Sequence, residues 1–128
     1  QWLNFDRPPP ASRFIEYDPV TEQWVRDADG NVIGGVRPAR IDVPLGTYTG
    51  DNPYSGPSPS LDEIFCALIV GGYDQFPAAE LERRYGTRQQ LALQTWWALF
   101  QQWLDGFILP VDAAPIIEEA LNFEGLPE

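Results

Sequence analysis

Thirteen prolines and eleven glycines punctuate this chain of 128 residues, and they limit its fold more than any other feature. Proline locks φ and removes a backbone donor, while glycine admits conformations closed to other residues. Regular elements must therefore be short and joined by much irregular backbone. A hydrophobic fraction of 44% and five tryptophans argue against disorder. The length suits one domain with one core. The expectation is a loop-rich α+β fold with a β-hairpin and three or four helices.

Eight arginines, no lysine and nineteen acids give a net charge of −11, which repels nucleic acid and acidic membrane surfaces. The longest apolar run, Ile64 to Val70, is far short of the roughly 20 residues that cross a bilayer. No nucleic-acid or membrane partner is expected. Gln1 opens the chain without an initiator methionine and no signal-peptide pattern follows, so a processed or excised chain is expected. Cys66 is either a buried thiol or half of a bridge to another chain. One cysteine and no histidine cannot supply the usual soft metal ligands, and neither metal nor cofactor is expected.

Three regions follow along the chain. In residues 1–14, "QWLNF" reads as the end of a helix with Trp2 and Phe5 on one face. The proline run Arg7 to Arg13 reads as a stiff extended connector. In residues 15–60, apolar and polar residues alternate on both sides of Asp29 and Gly30, which predicts a hairpin turning near Ala28 to Asn31. A calcium loop at Asp27, Asp29 and Asn31 fails, because Val32 and Pro38 occupy its glycine and glutamate positions. From Gly34 to Pro59 a long pinned loop is expected, with a short extended piece at Ile41 to Val43. Its hydroxyls either line a pocket or satisfy their own backbone.

Residues 61–128 read as helical. Ser60 and Glu63 form a capping box for a helix at Leu61, although a buried strand at Ile64 to Val70 fits the same apolar run. Pro77 and Gly86 bracket a short helix. Thr87 with Gln90 opens a longer one ending at Gly106, where Leu93, Trp96, Trp97, Phe100, Trp103 and Leu104 make one stripe, expected to pack in the core. Asp112 is placed as the cap of a last helix reaching Leu121, with Pro115 in its first turn. The C-terminal "NFEGLPE" is expected to fray.

The groups that activate a nucleophile are missing. A serine hydrolase needs a base, nearly always histidine, and this chain has neither histidine nor lysine. No G-x-S-x-G elbow and no phosphate loop occur. No catalytic residue is assigned.

Three segments in order, "DADGNVIGGVRPARIDVPLGTYTGDN", "IFCALIVGGYDQFPAAELERRYG" and "WLDGFILPVDAAPII", resemble the C-terminal part of the large secreted proteins of the alpha/beta hydrolase domain family. The opening "QWLNFDRPPPASRF" resembles the helix and proline run that follow the family's catalytic core. The resemblance implies that the nucleophile serine and catalytic histidine lie upstream. This chain would then be a non-catalytic portion of a serine carboxylic ester hydrolase, partnered by the hydrolase core and a small ester substrate, in an extracellular or periplasmic setting. It also implies a pocket role near the active-site mouth for Thr47, Tyr48, Thr49 and Asn52, and makes a disulfide from Cys66 to the missing part more plausible. The long join from Gly46 to Phe65 and the doubled Trp96-Trp97 depart from the family pattern.

Two other readings compete: a stand-alone binding module with an aromatic face, and a structural interaction subunit. A hydrolase part is expected to cover Trp96, Trp97 and Trp103 with its own helices and to leave Trp2 and Phe5 for the core. A binding module is expected to leave one compact apolar patch open.

Overall fold

A computed structural model describes residues 9–50 and 60–128. Residues 1–5, Asn52 and the side chain of Cys66 lie outside the described residues, and so do the expectations attached to them. Along the described chain run β1 (Tyr17–Asp18), β2 (Gln23–Trp24), α1 (Ala39–Asp42), β3 (Gly46–Thr49), α2 (Leu61–Ile69), β4 (Gly72–Gln75), α3 (Ala78–Tyr85), α4 (Arg88–Leu104) and α5 (Pro110–Leu121). Strand β1 pairs with β2 and β3 with β4, both antiparallel. The fold is α+β, as expected.

The turn at residues 28–31 forms because Asp27 organises it. Its Oδ1 accepts the N–H groups of Asp29 and Asn31, each at 3.0 Å, and its carbonyl accepts that of Gly30 at 3.0 Å. Such side-chain-to-backbone bonds are why aspartate favours turns. Beyond the Arg26–Val32 bridge the hairpin does not continue as a plain ladder. Instead three segments meet in a ring of backbone bonds: Glu16 N–H to Ile33, Ile33 N–H to Val25, and Val25 N–H to Glu16. Gly34, at φ +80°, permits this junction, since a Cβ there would stand 2.5 Å from the Phe14 carbonyl oxygen.

The connection after the junction is not one long loop. Residues 39–42 form one helical turn where an extended piece at Ile41 to Val43 was expected. Arg37 explains it. Its guanidinium donates to the Ile41 carbonyl at 3.1 Å and the Asp42 carboxylate at 2.9 Å, satisfying groups at the end of the turn. The same side chain reaches Val32 O and Asp27 Oδ2, both at 2.8 Å, and so ties the turn to the hairpin.

Residues 46–49 are likewise a strand, in register with β4 from Gly46↔Gln75 to Thr49↔Gly72. The pairing needs glycine at position 46, where a Cβ would lie 2.2 Å from the Asp74 carbonyl oxygen. Local pattern could not show it, because the partner lies beyond α2. That intervening apolar run is helical: Ser60 N–H donates to Glu63 Oε2 at 2.7 Å and Glu63 N–H to Ser60 Oγ at 3.3 Å. The capping box settles the helix-or-strand alternative at Ile64 to Val70 in favour of helix.

Helix α3 begins after Pro77 and ends at Gly86, which adopts φ +71°. Helix α4 starts at Thr87, whose Oγ1 accepts the Gln90 N–H at 3.3 Å. Helix α5 begins at Leu109 and Pro110 rather than at Asp112, so Asp112 sits in the first turn and Pro115 inside the helix. Pro110 supplies the preset φ that suits a first helical position.

Leu81, Tyr85, Leu91, Ala92, Ala120 and Leu126 form the core, with Val43, Leu45, Phe76 and Phe123 packed against it. The C-terminal segment is therefore anchored, not frayed. Pro127 O accepts the otherwise orphan N–H of Arg88 at 2.8 Å, and this places Leu126 in the core.

The tryptophan stripe is the main correction. Helix α4 buries Leu91, Ala92, Thr95 and Leu99, while Trp96, Trp97 and Trp103 remain 45%, 56% and 40% exposed. Phe100 is half-buried. The core-packing role expected for Trp96, Trp97, Phe100 and Trp103 falls in this chain to the adjacent, smaller side chains. Small groups such as Ala92 and Ala120 allow α4 and α5 to approach closely, and the bulky rings are left outside.

Candidate functional site

Two features stand out: a cavity beside the paired strands and an aromatic face on α4. The cavity begins with Asn31, which is fully buried at 0% exposure. Its Oδ1 accepts the Tyr48 N–H at 2.7 Å and its Nδ2 donates to Gly46 O at 3.3 Å. In an antiparallel pair alternate residues direct their N–H and C=O groups to opposite edges. Phe76 N–H donates to Leu45 O, so by the register Gly46 and Tyr48 turn these groups away from β4. Asn31 covers that edge as a third strand would.

Beside β3, Thr47 Oγ1 donates to Asp29 O at 2.6 Å, and Asp29 is gripped by Arg84. Arg84 also donates to Glu80 Oε1 at 2.6 Å and lies 4.4 Å over the Phe76 ring. The hairpin turn, β3 and α3 are thus clamped to one another. Tyr85 completes the frame by donating its hydroxyl to Pro44 O at 2.7 Å. Burial pushes that phenol up to about 12.

Held this way, Tyr48 faces Tyr73 across the strands, with ring centroids 4.9 Å apart. The two rings line a cavity of about 400 Å³ between the sheet and the α4–α5 seam. Val43, Leu45, Leu91 and Phe123 supply apolar wall, and Arg40 and Glu119 add an ion pair of half-exposed side chains. Burial raises the Tyr48 phenol, reinforced by Tyr73 and Glu119 against the opposing pull of Arg40. Burial also raises Tyr73. Both phenols therefore stay protonated at neutral pH and can donate hydrogen bonds.

Of the four residues singled out for a pocket, Tyr48 lines the cavity. Thr47 bonds to the hairpin, Thr49 closes the end of the β3–β4 ladder opposite Gly72, and Asn52 lies outside the described residues. Arg40, Tyr73, Thr95 and Glu119 were missed. The alternating "GYDQ" after the paired glycines could have signalled the strand that carries Tyr73. Nothing local marks the other three.

On the second feature, Trp96 stacks on Phe100 at 5.4 Å, and Phe100 lies 5.8 Å from Trp97 and 5.7 Å from Trp103. Trp96, Leu99, Phe100 and Trp103 form one wall of an open groove, and Pro110, Ala113, Ala114 and Ile117 of α5 form the other.

Chemically, the cavity offers hydroxyl donors and apolar surface, with an arginine already paired to a carboxylate. Hydrogen bonding and shape recognition are within its reach, and its lining carboxylate, Glu119, is held in the ion pair with Arg40. No group of three or more cysteine or carboxylate side chains converges among the described residues, and no helix among them is long and apolar enough to cross a membrane.

No curated protein and no solved structure matches the chain. The family described as "Alpha/beta hydrolase domain" matches residues 1–118, nearly the whole length. The chain therefore belongs to the alpha/beta hydrolase domain family.

Proposed function

We propose that these residues are a C-terminal, non-catalytic portion of an α/β-hydrolase-fold carboxylic ester hydrolase, seated on the catalytic core through the aromatic face of α4. The core supplies serine, histidine and aspartate for acyl transfer to water. The present chain contributes Tyr48 and its surroundings to the mouth of the site. The observation that carries this reading is the family match over residues 1–118. Trp96, Trp97 and Trp103 are not covered by this chain's own helices, contrary to the expectation for a hydrolase part, and the reading assigns their cover to the missing core. A helix that buries one apolar face and leaves a second, aromatic one open is suited to a larger body, and family membership says what kind of body. The absence of histidine from all 128 residues fits a part that leaves the chemistry to others. An extracellular or periplasmic setting is carried over from the family resemblance.

The same exposure favours a second reading, a stand-alone interaction module whose open aromatic patch meets an unrelated partner. Native mass spectrometry of the purified protein with a fluorophosphonate probe separates the two. The hydrolase reading expects a complex with, or continuation into, a larger polypeptide that takes up the probe. It also expects Trp97→Ser with Trp103→Ser to release that body while this chain stays folded. A 128-residue monomer that never takes up the probe and never recruits a labelled core would overturn it.

A further inference from the structure

The cavity beside β3 and β4 carries an inference that goes beyond the hydrolase reading and stands or falls in this chain alone. Its volume of about 400 Å³ lies within the roughly 300–1,000 Å³ of small-molecule sites. At about 30 Å³ per water, it would hold on the order of a dozen, so it is no ordinary packing defect.

Its polar groups are the second observation. Thr95 is 6% exposed and lines the cavity from α4, yet its hydroxyl has no hydrogen-bond partner among the described residues. The hydroxyls of half-buried Tyr48 and of Tyr73, which is 46% exposed, also lack one there. Three hydroxyls that line one apolar cavity without protein partners are suited to a ligand that carries an acceptor.

Charge decides what kind of ligand. Arg40, the one cation among the described residues that line the cavity, is already paired with Glu119, and the whole chain carries −11. A carboxylate entering here would meet Glu119 and compete with it for Arg40, so an anion is disfavoured. A cation would lack an unpaired carboxylate. We propose that the cavity is a binding site for a compact neutral molecule with an apolar body and one carbonyl-type oxygen, such as an ester, ketone or amide. The Tyr48 and Thr95 hydroxyls donate to that oxygen, and Val43, Leu45, Leu91 and Phe123 enclose the body.

Acetophenone, a neutral aryl ketone that no esterase can hydrolyse, tests this without invoking catalysis, with benzoate as its charged counterpart. Titration into the 128-residue chain, followed by two-dimensional NMR, is expected to saturate with a dissociation constant of about 1 mM or tighter. The largest shifts should fall on residues of β3, β4 and the Thr95 turn. Tyr48→Phe, which keeps the ring and removes the donor, should weaken binding about fivefold. Benzoate should bind about tenfold more weakly than the ketone. Val43→Trp, which fills the cavity, should abolish binding. If that variant fails to fold by circular dichroism, the Tyr48→Phe, Thr95→Val pair serves instead, with an expected loss of at least tenfold. Failure of acetophenone to saturate at about ten times that concentration would overturn the proposal. So would equal affinity for benzoate, or unchanged affinity in the folded cavity variants. None of these outcomes bears on whether a labelled hydrolase core is recruited.

Discussion

Replacing Asn31 by alanine tests the idea that one buried amide stands in for a missing strand. The native side chain satisfies Tyr48 N–H at 2.7 Å and Gly46 O at 3.3 Å, at 0% exposure. Alanine removes both bonds and leaves a donor and an acceptor in a place closed to water. Each lost bond costs about 1 kcal/mol net, and each stranded buried group brings the loss toward 1–3 kcal/mol. The longer contact to Gly46 counts for less, so the sum is about 3 kcal/mol, a large part of the 5–15 kcal/mol typical of a domain. Urea unfolding followed by tryptophan fluorescence should show the midpoint falling by about 1.5–2 M, taking a slope near 1.5–2 kcal/mol/M. Asn31→Asp should be no better, because its second oxygen would face the Gly46 carbonyl and add a buried charge. A loss below about 0.5 kcal/mol for Asn31→Ala, the range of ordinary surface changes, would refute the strand-substitute account.

Three other outcomes are expected. Arg84→Lys should destabilise by about 1–2 kcal/mol in urea unfolding, because one ammonium cannot bridge Asp29 and Glu80 while lying over Phe76; full retention of stability would mean that the clamp is incidental. Leu126→Ala should cost about 2–3 kcal/mol, as for other buried leucines, whereas a truly frayed terminus would show no change. Acid unfolding should show a loss of stability below about pH 4.5. Hydrogen bonds from Arg83 and Arg84 hold Glu80 down at about 2, against an ordinary 4.5. Burial alone would raise Asp27, but bonds from Arg37 and the Asn31 and Asp29 N–H groups outweigh it and lower the carboxyl. Both folded values lie below the unfolded ones, so these contributions are present above about pH 4–4.5 and disappear as the pH falls toward 2. Urea midpoints constant between pH 5 and pH 2.5 would contradict this.

The sequence by itself determined the elements whose signals are local. Ser60 with Glu63, Pro77 with Gly86 and Thr87 with Gly106 mark helix ends, because the capping groups lie within a few residues of the backbone groups they satisfy. The Asp27–Asn31 turn was legible for the same reason. Family membership was also within reach, through the order of three motifs. Tertiary structure alone decided which face of α4 is buried, since both Leu91–Leu99 and Trp96–Trp103 satisfy helical spacing. Close approach to α5 selected the smaller side chains and left the tryptophans outward. The cavity was illegible for a related reason. Arg40, Tyr48, Tyr73, Thr95 and Glu119 come from five separate elements. Neither the pairing of β3 with a strand beyond α2 nor the Asn31 amide that supports it leaves a periodic mark, because both depend on contacts between residues far apart in the chain.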